Sequence, residues 1–298
     1  MSKEMMSWDH WRSFLAVLDT GTLSGAAGQL GLTQPTLGRH IEALEAGLET
    51  SLFVRSVRGL TPTDMALSLR PHAEAMQSAA AALIRSASAP AEALSGTIRL
   101  TVSEFMGAHV IPGILAPFVE EHPDIAVELV LSDQTDDLSA READIAVRMV
   151  APTQDALVGL KLGTVRVALY AHKTYVAKHG LPQSFSDNST AHRFIGFDKQ
   201  AWVMEPLQTA GYPIARDFFS LRTDRDAAQV ALLKAGAGIS GCHMPVGDND
   251  PDLVPVLHDA FGFDLEMWLV MHEDLRRVTR MRALFDHLDQ GLRSYLKM

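Results

Sequence analysis

Apolar positions in the N-terminal part of the chain recur at helical spacing. Four of them follow one another at intervals of four, three and four residues: Leu37, Ile41, Leu44 and Leu48. This spacing predicts a helix with one apolar stripe. Gly38 lies inside that helix, although a mid-helix glycine costs roughly 1 kcal/mol relative to alanine. We therefore expect a role for this helix that tolerates a glycine on its polar side.

Two further helices are predicted ahead of this one. The first has an apolar face formed by Trp11, Phe14, Leu15 and Leu18. Gly21 ends it, and the hydroxyls of Thr22 and Ser24 can cap a short second helix built from small residues. Thr33 can cap the third helix, with Pro35 in the first turn, where a missing N–H costs nothing. So tight a connection predicts a helix-turn-helix.

A two-stranded wing is predicted after the third helix. Phe53 and Val54 precede two arginines, Arg55 and Arg58, which are followed by Gly59. Strands around a glycine-containing tip would carry both arginines towards a phosphate backbone beside the groove that the third helix enters.

Residues 64 to 87 form an alanine-rich segment with a heptad pattern, made by Met65, Leu69, His72, Met76, Ala79 and Leu83. This seam favours a dimerising helix, and the alternative is a long helix packed on its own domain. Pro71 predicts either a kink or a restart of the helix. A linker, residues 86 to 96, follows.

From residue 97 the pattern changes to strands that alternate with helices. Strand-like segments lie at 96–102, 125–131, 144–149, 166–172, 193–197, 218–223, 238–242 and 265–272, and helical segments at 111–121, 135–141, 224–235 and 278–296. The alternation predicts right-handed βαβ units and a parallel sheet, so the fold class is α/β overall.

Composition and charge narrow the classes of function. The 298 residues are 47% hydrophobic and 21% charged, which is typical of a globular protein of two or three domains. The chain has no apolar run of membrane-span length and no basic-then-apolar start, so we expect a cytoplasmic protein without a membrane partner. The net charge of −10 argues against indiscriminate nucleic-acid binding. Residues 1 to 90 carry seven Lys or Arg against eight Asp or Glu, so the excess acid lies mostly beyond them.

The first 64 residues resemble the winged helix-turn-helix of LysR-type transcriptional regulators. The matching residues are Phe14, Ala26, Ala27, Leu30, Gln34, Pro35, Ile41, Leu44, Glu45, Leu48, Leu52, Phe53, Arg55, Leu60 and Thr61. The rest follows the family order more loosely, through Ile111, Pro112, Phe118, Pro123 and residues 235–239.

The resemblance implies three parts. Residues 1–63 would form an all-α winged helix-turn-helix that binds DNA, and residues 64–90 a linker and dimerisation helix. Residues 91–298 would form a two-lobed α/β effector domain of the periplasmic-binding-protein type. Lobe 1 would span about 97–165 and 272–298, and lobe 2 about 166–271.

Three residues depart from the family pattern. Gly38 stands where relatives usually carry serine, and Glu49 and Asp64 where they usually carry glycine. Glu49 would meet the negative end of the helix dipole, a penalty of at most about 1 kcal/mol. Asp64 can instead cap the linker helix.

The helix-turn-helix predicts which residues read DNA. Gln34 can pair with adenine, Arg39 with guanine or a phosphate, and the Thr36 methyl can touch thymine, whereas the wing arginines would contact phosphates. The full predicted set is Ser24, Thr33, Gln34, Pro35, Thr36, Gly38, Arg39, His40, Arg55 and Arg58. For each residue the alternative is a solvated side chain.

By resemblance, an effector binds between the lobes, where strand ends meet helix N-termini. The candidate residues are Ser103, Phe105, Ser132, Asp133, Arg148, Phe197, Trp202, Thr223, Asp224 and His243. Ser103, Thr223 and Asp224 equally suit helix caps. Arg148 is a candidate anion anchor, or a partner of Glu142 or Asp144. Since Glu104 and Asp133 would oppose a highly charged anion, we expect a small organic or aromatic acid and no other cofactor.

Two other classes of protein are alternatives: an enzyme and a periplasmic solute-binding protein. Cys242 and His243 are neighbours whose side chains would leave a strand on opposite faces, so they make a poor nucleophile and base. Metal-ligand spacing, a phosphate-binding glycine loop and a G-x-S-x-G elbow are absent from the sequence, which argues against an enzyme. A periplasmic solute-binding protein would lack the helix-turn-helix. The single cysteine fits a reducing compartment and is expected to be buried and inert.

We therefore predict an effector-responsive transcription factor that is not an enzyme and binds no metal. It would bind an inverted-repeat operator in double-stranded DNA and contact RNA polymerase. Its linker helices would form a homodimer, and the resemblance implies a homotetramer.

Overall fold

The computed structural model describes residues 6–56, 59–87, 90–133, 143–152, 157–185, 192–212 and 214–298. These residues fold as two compact units. The N-terminal unit comprises the described residues up to Ala87, and the C-terminal unit those from residue 90 onward. None of the helices in these ranges is long and apolar enough to cross a lipid bilayer.

The N-terminal unit has the predicted order of elements. Helices α1 (Trp8–Thr20), α2 (Leu23–Leu30) and α3 (Gln34–Leu48) precede the antiparallel strands β1 (Phe53–Ser56) and β2 (Gly59–Pro62), and helix α4 (Asp64–Ala87) follows. Gly21, in the left-handed region at φ 68°, ends α1. Thr22, rather than Ser24, caps α2 by accepting from Gly25 N at 3.0 Å. Thr33 caps α3 by accepting from Thr36 N at 3.3 Å. The predicted helix-turn-helix and wing are confirmed.

The apolar stripe of α3 forms the core of the N-terminal unit. Leu37 and Leu44 are fully buried beside Phe14, whose ring lies 5.7 Å from that of Phe53. Complete burial of one such side chain stabilises the fold by about 1.5–3 kcal/mol. Ala66 and Ala73 of α4 belong to the same core. The first half of α4 therefore packs on its own unit.

Helix α4 continues through Pro71, which is exposed, so the helix does not restart there. Its N-terminal cap is Thr63, whose hydroxyl accepts from Ala66 N at 3.2 Å. Asp64 lies in the first turn, where its charge suits the positive end of the helix dipole. Asp64 is therefore not the cap that the sequence suggested.

A seven-stranded sheet organises the described residues of the C-terminal unit. Its order is β10-β6-β11-β5-β3-β4, and β9 also pairs with β6. The strands are β3 (Gly96–Val102), β4 (Ile125–Leu131), β5 (Ile145–Arg148), β6 (Leu157–His172), β9 (Ile239–His243), β10 (Leu253–Val256) and β11 (Phe263–His272). Strands β7 (Ile195–Gly196) and β8 (Leu221–Arg222) form a separate parallel pair.

The prediction of a parallel sheet is correct only for β4, β3 and β5. Strand β6 pairs antiparallel with β9, β10 and β11, and β11 pairs antiparallel with β5. The beginning of β6 lies beside the end of β11, next to β5, whereas the end of β6 lies beside β9 and β10. Strand β6 takes the chain from the side of β5 to the side of β9 and β10, and β11 takes it back. The two strands therefore run in opposite directions.

Helices cover the sheet, and the sequence missed four of them. They are α5 (Glu104–His109), α6 (Ile111–Glu121), α7 (Lys173–His179), α8 (Ala201–Thr209), α9 (Asp226–Lys234), α10 (Met244–Asp248) and α11 (Thr279–Tyr295). The missed helices are α5, α7, α8 and α10, and strand β10 was also missed. Helix α11 buries Leu284, Leu288 and Leu292 against the main core. The predicted helix at 135–141 lies outside the described residues.

Candidate functional site

The N-terminal end of α3 presents polar groups to solvent. Gln34 and Arg39 are exposed, Thr36 is half-buried, and Leu37 between them is fully buried. Thr33 and Pro35, two more of the predicted DNA-contacting residues, are exposed at this end of the helix, and Ser24 is exposed in α2. Consecutive residues of one helix and its preceding turn therefore form this surface.

Gly38 lies on this surface in open space. A Cβ added to it would meet nothing within 4 Å, and the same is true of Gly28 in α2. Packing inside the N-terminal unit therefore does not require a glycine at either position.

His40 points elsewhere than the sequence predicted. Its Nδ1 lies 2.7 Å from Oγ of Ser13, which is fully buried in α1, and its ring lies 5.0 Å from that of His10. Burial, followed by the charge of His10, lowers the pKa of His40. The imidazole thus fixes α3 against α1 rather than standing on the outer face.

Glu45 joins α3 to the wing, a role that the sequence analysis did not assign. Its Oε1 accepts from Leu52 N at 2.7 Å and from Phe53 N at 3.2 Å. Arg55 is exposed on β1, and Arg58 lies outside the described residues. An acidic residue in the last turn of the helix, a few residues before a strand, was the available signal.

Glycine is required near the tip of the wing, at the first residue of β2. Gly59 has φ +125°, and a Cβ there would lie 2.5 Å from the carbonyl oxygen of Gly21. Leu60 N donates to that same oxygen at 2.8 Å. The wing is thereby held on the turn between α1 and α2.

The predicted seam of α4 divides into two parts. Leu69 is half-buried against the core of the N-terminal unit, so it does not form part of a free seam. Met65, His72, Met76 and Leu83 are exposed. Leu83 and its neighbour Ile84 are 71% and 74% exposed, so the second half of α4 offers the larger apolar surface.

The C-terminal unit contains a cavity with about 1000 Å³ of empty space, part of it open to solvent. Eight phenylalanines line it: Phe105, Phe185, Phe194, Phe197, Phe218, Phe219, Phe261 and Phe263. The polar groups in its wall belong to Gln200, Asp226, Gln229, Cys242 and His243. Such a wall, apolar with a few polar groups, is typical of a small-molecule site.

His243 is a neutral polar group of this wall. It is buried, its Nδ1 lies 2.9 Å from the Tyr295 hydroxyl, and its ring centroid lies 3.9 Å from that of Phe105. Burial, followed by the charge of His109, lowers the pKa of His243 to about 3. His243 therefore offers hydrogen bonding without charge at neutral pH.

Asp226 is the acidic group of the wall and lies in the first turn of α9. Burial, together with the charges of Asp133 and Glu104, raises its pKa to about 7. Cys242 is buried, as predicted, and burial raises the pKa of its thiol to about 12. A protonated thiol is a poor nucleophile.

Of the predicted effector residues, Phe105, Phe197 and His243 line the cavity. The others that the structure describes fully are not in its wall: Ser103, Ser132, Asp133, Arg148, Thr223 and Asp224. The side chain of Trp202 lies outside the described part of the chain.

The structure gives local roles to Asp224 and Thr223. Asp224 accepts from the backbone N–H groups ahead of α8, at 2.9 Å from Asp198 and 3.0 Å from Lys199, and these bonds lower its pKa. Thr223 accepts from Arg225 N at 3.2 Å. Both side chains therefore bind backbone N–H groups just ahead of a helix, Asp224 ahead of α8 and Thr223 ahead of α9, rather than capping its first turn.

Arg148 and Asp133 lie at the ends of strands rather than in the cavity wall. The guanidinium of Arg148 is buried and donates to Thr101 Oγ1 at 3.0 Å and to Val147 O at 3.1 Å. Asp133 Oδ1 accepts from Glu104 N at 3.2 Å, at the start of α5.

Sequence reasoning missed most of the aromatic wall and Asp226. One signal was available, since seven of the twelve phenylalanines lie between residues 185 and 263. Within the described ranges, no group of three or more His, Cys, Asp or Glu side chains is arranged to hold a metal ion.

Comparison with family models matches both units. Residues 8–67 match the bacterial regulatory helix-turn-helix protein of the lysR family, and residues 91–293 match the LysR substrate binding domain.

Relatives cover nearly the whole chain. It is 26% identical to the HTH-type transcriptional regulator CrgA of Neisseria meningitidis serogroup C, over 94% of this chain and 95% of CrgA. It is 25% identical to the probable HTH-type transcriptional regulator LtrA of Klebsiella pneumoniae, over 93% and 92% of the two chains.

Solved structures show the same fold. The structure of CrgA from Neisseria meningitidis, 25% identical, matches with a TM-score of 0.58 over 95% of this chain and 98% of that one. Full-length CbnR, in complex with its target DNA, matches with a TM-score of 0.64 at 18% identity over 96% and 99%.

Proposed function

The chain belongs to the LysR family of transcriptional regulators, and we propose that it binds an inverted-repeat operator under the control of a small molecule held in the cavity. Members of this family are DNA-binding regulators rather than enzymes, and their C-terminal domain takes an effector. Because the target is the chromosome, we expect the protein to act in the cytoplasm.

The observation that carries the DNA proposal is the exposed, polar N-terminal end of α3. Its apolar stripe is buried, so Gln34 and Arg39 are free to enter the major groove. Gln34 would pair with adenine and Arg39 with guanine, while the Thr36 methyl would contact thymine. The wing arginines, Arg55 and Arg58, would contact phosphates and position the helix.

DNA footprinting of single variants tests this assignment. We expect Gln34→Ala and Arg39→Ala each to weaken operator binding by roughly 5- to 150-fold, which corresponds to about 1–3 kcal/mol per bidentate contact. Gln29→Ala, at an exposed glutamine of α2, is the matched control. Equal footprints for the Arg39→Ala and Gln29→Ala variants would argue against this orientation of α3.

The cavity supports effector binding in the C-terminal unit. Gly241 lies in its wall, and a Cβ there would meet only Val167, at an ordinary distance of 3.5 Å. We therefore expect Gly241→Val to narrow the cavity, weaken any ligand found in a thermal-shift screen, and leave operator binding unchanged. A ligand that binds the variant as tightly as the parent would have its site elsewhere.

The second half of α4 supports a homodimer. Its exposed apolar residues, Met76, Leu83 and Ile84, would form the contact between two copies, and two such dimers would form a homotetramer. A dimer would present two N-terminal units to two half-sites, beside which RNA polymerase would be contacted.

Sedimentation tests the dimer directly. We expect the double variant Met76→Asp, Leu83→Asp to be monomeric and to lose operator binding, because two charges would lie in an apolar contact. Leu181→Asp, at another exposed leucine, is the control. A double variant that still footprints as a dimer would place the interface on another surface.

A further inference from the structure

The charges around the cavity are of one sign. Asp226 is the ionisable acid in its wall, and none of the described residues that line it is a lysine or an arginine. His243 stays neutral because burial lowers its pKa. A bound carboxylate would therefore find no cation in this wall.

Two acidic residues near Asp226 add to the negative charge at the cavity. Asp133 and Glu104 lie close enough for their charges to act on Asp226. Arg225, the neighbour of Asp226 in the chain, is largely exposed, and its guanidinium lies 3.6 Å from Glu104 Oε1, outside the cavity wall. Of these four residues three are acidic, and the one cation among them is paired with Glu104.

The rings of the wall favour the same sign of ligand charge. Aromatic faces are negative, so they attract a cation that lies over them, and the attraction grows when water is excluded. Eight phenylalanines line the cavity. Phe194 and Phe197 flank β7, which contacts α9, and Phe219 lies shortly before β8. Rings and one carboxyl group together suit an ammonium group on an apolar body.

We propose that the effector of this protein is a hydrophobic amine, whose ammonium group pairs with Asp226 and whose apolar body fills the phenylalanine-lined part of the cavity. The proposal rests on the proposed function and replaces the organic acid that the sequence suggested. No hydrogen bond or ion pair of the Asp226 side chain to another described residue competes for this role.

The bound ammonium would restore the charge of Asp226. Without a partner, burial and its acidic neighbours favour the neutral carboxyl, since they raise its pKa to about 7. A cation at hydrogen-bond distance reverses this preference, and the pair then lies in an apolar surrounding where charge-assisted hydrogen bonds are strong. An amide at this position would keep the shape and lose the charge.

Three probes with the same skeleton test the proposal: phenylbutylamine, phenylbutanol and phenylbutyrate. Their binding to the full chain is measured by isothermal titration calorimetry, with the parent, Asp226→Asn and the control Asp217→Asn, which changes an exposed acid outside the cavity wall. Circular dichroism checks that both variants fold. We expect the amine to bind about tenfold or more tightly than the alcohol and the acid to bind most weakly.

The variant separates charge recognition from simple apolar binding. We expect Asp226→Asn to remove the preference for the amine and to leave the affinity for the alcohol within about twofold, whereas Asp217→Asn should change neither. The proposal is overturned if the acid binds as tightly as the amine, if the preference survives in Asp226→Asn, or if the amine does not bind. Footprinting of the unliganded chain tests the regulator function separately, because an intact footprint with no amine preference removes only the amine.

Discussion

The two surfaces proposed to carry function are built in opposite ways. The DNA-contacting surface comes from a few successive residues of α3 and its preceding turn, and its polar groups are exposed. The cavity collects side chains from α5, β6, α9, β9 and β11, and its polar groups, Asp226 and His243, have pKa values shifted by burial.

The difference explains what each surface can detect. Exposed donors and acceptors read base edges by position, since the groove brings the partner to them. Buried groups change protonation state with their neighbours, so a cavity can distinguish ligands by charge as well as by shape. Substitutions in the DNA-contacting surface should therefore leave ligand binding unaltered, and substitutions in the cavity should leave operator binding unaltered.

The titration of His243, in the cavity wall, is expected to have the largest effect on the free energy of unfolding. The pKa of His243 is about 3 in the folded chain and near 6.5 when unfolded. Below pH 6.5 the unfolded chain therefore binds a proton at this position that the folded chain excludes, so His243 lowers the stability by about 1.4 kcal/mol per pH unit, or about 2 kcal/mol by pH 5. Asp226 acts in the opposite sense, because its pKa of about 7 lets the folded chain bind a proton that the unfolded chain releases. Urea unfolding between pH 7.5 and 5, followed by brief labelling of Cys242 with dithiodipyridine, measures the free energy of unfolding as a function of pH.

The label reports on the C-terminal unit alone, because Cys242 is the single cysteine and is buried there. His243→Gln is the comparison, since an amide can keep a hydrogen bond to Tyr295 without titrating. We expect the variant to lose about 2 kcal/mol less stability than the parent between pH 7.5 and pH 5, because this difference removes His243 and keeps the contributions of Asp226 and of His109, whose pKa burial also lowers. An unchanged slope in the variant would assign the acid sensitivity to other groups.

The loss of Glu45 is expected to have the next largest effect, and it tests how local the N-terminal unit is. Glu45→Ala removes the acceptor for Leu52 N and Phe53 N and should cost about 1.5 kcal/mol, because both hydrogen bonds involve a charge. Hydrogen exchange of the β1 amides should accelerate more than that of the α1 amides. Glu45→Gln keeps a carbonyl oxygen, so it should lie between the alanine variant and the parent.

Gly38→Ala should stabilise the N-terminal unit by about 1 kcal/mol, because alanine favours the helix and its Cβ meets nothing. Gly28→Ala, in α2, should stabilise the N-terminal unit by a similar amount, because a Cβ there also meets nothing. If the backbone at Gly38 lies close to DNA, its variant alone should bind the operator more weakly. Equal affinities for the two alanine variants would show that Gly38 is a tolerated defect.

The smallest effect is expected at the end of α3. Glu49 has φ 55°, in the left-handed region that disfavours side chains with a Cβ. Glu49→Gly should therefore stabilise the N-terminal unit by about 0.5–1 kcal/mol in thermal unfolding. Glu49→Ala keeps the strain and loses the charge, so a gain as large in alanine as in glycine would point to the helix dipole instead.

The sequence by itself determined the elements of the N-terminal unit. Its apolar spacing predicted α1 and α3, and Gly21, Thr33 and Pro35 predicted their ends, because these signals act within a few residues along the chain. The family resemblance added the order of the two units, and strand-like segments of the C-terminal unit were found in place, although β6 proved much longer than predicted.

The tertiary structure alone decided the direction of strands, the contacts and the cavity. Spacing gives the face of a helix or strand but not its partner, so it could not show that β6 and β11 run antiparallel or that His40 turns towards Ser13. Asp224 looked like an effector contact and instead binds the backbone ahead of α8, whereas Asp226, two residues later, lies in the cavity wall. Burial and neighbouring charge, which folding alone creates, give Asp226 its shifted pKa and its proposed role.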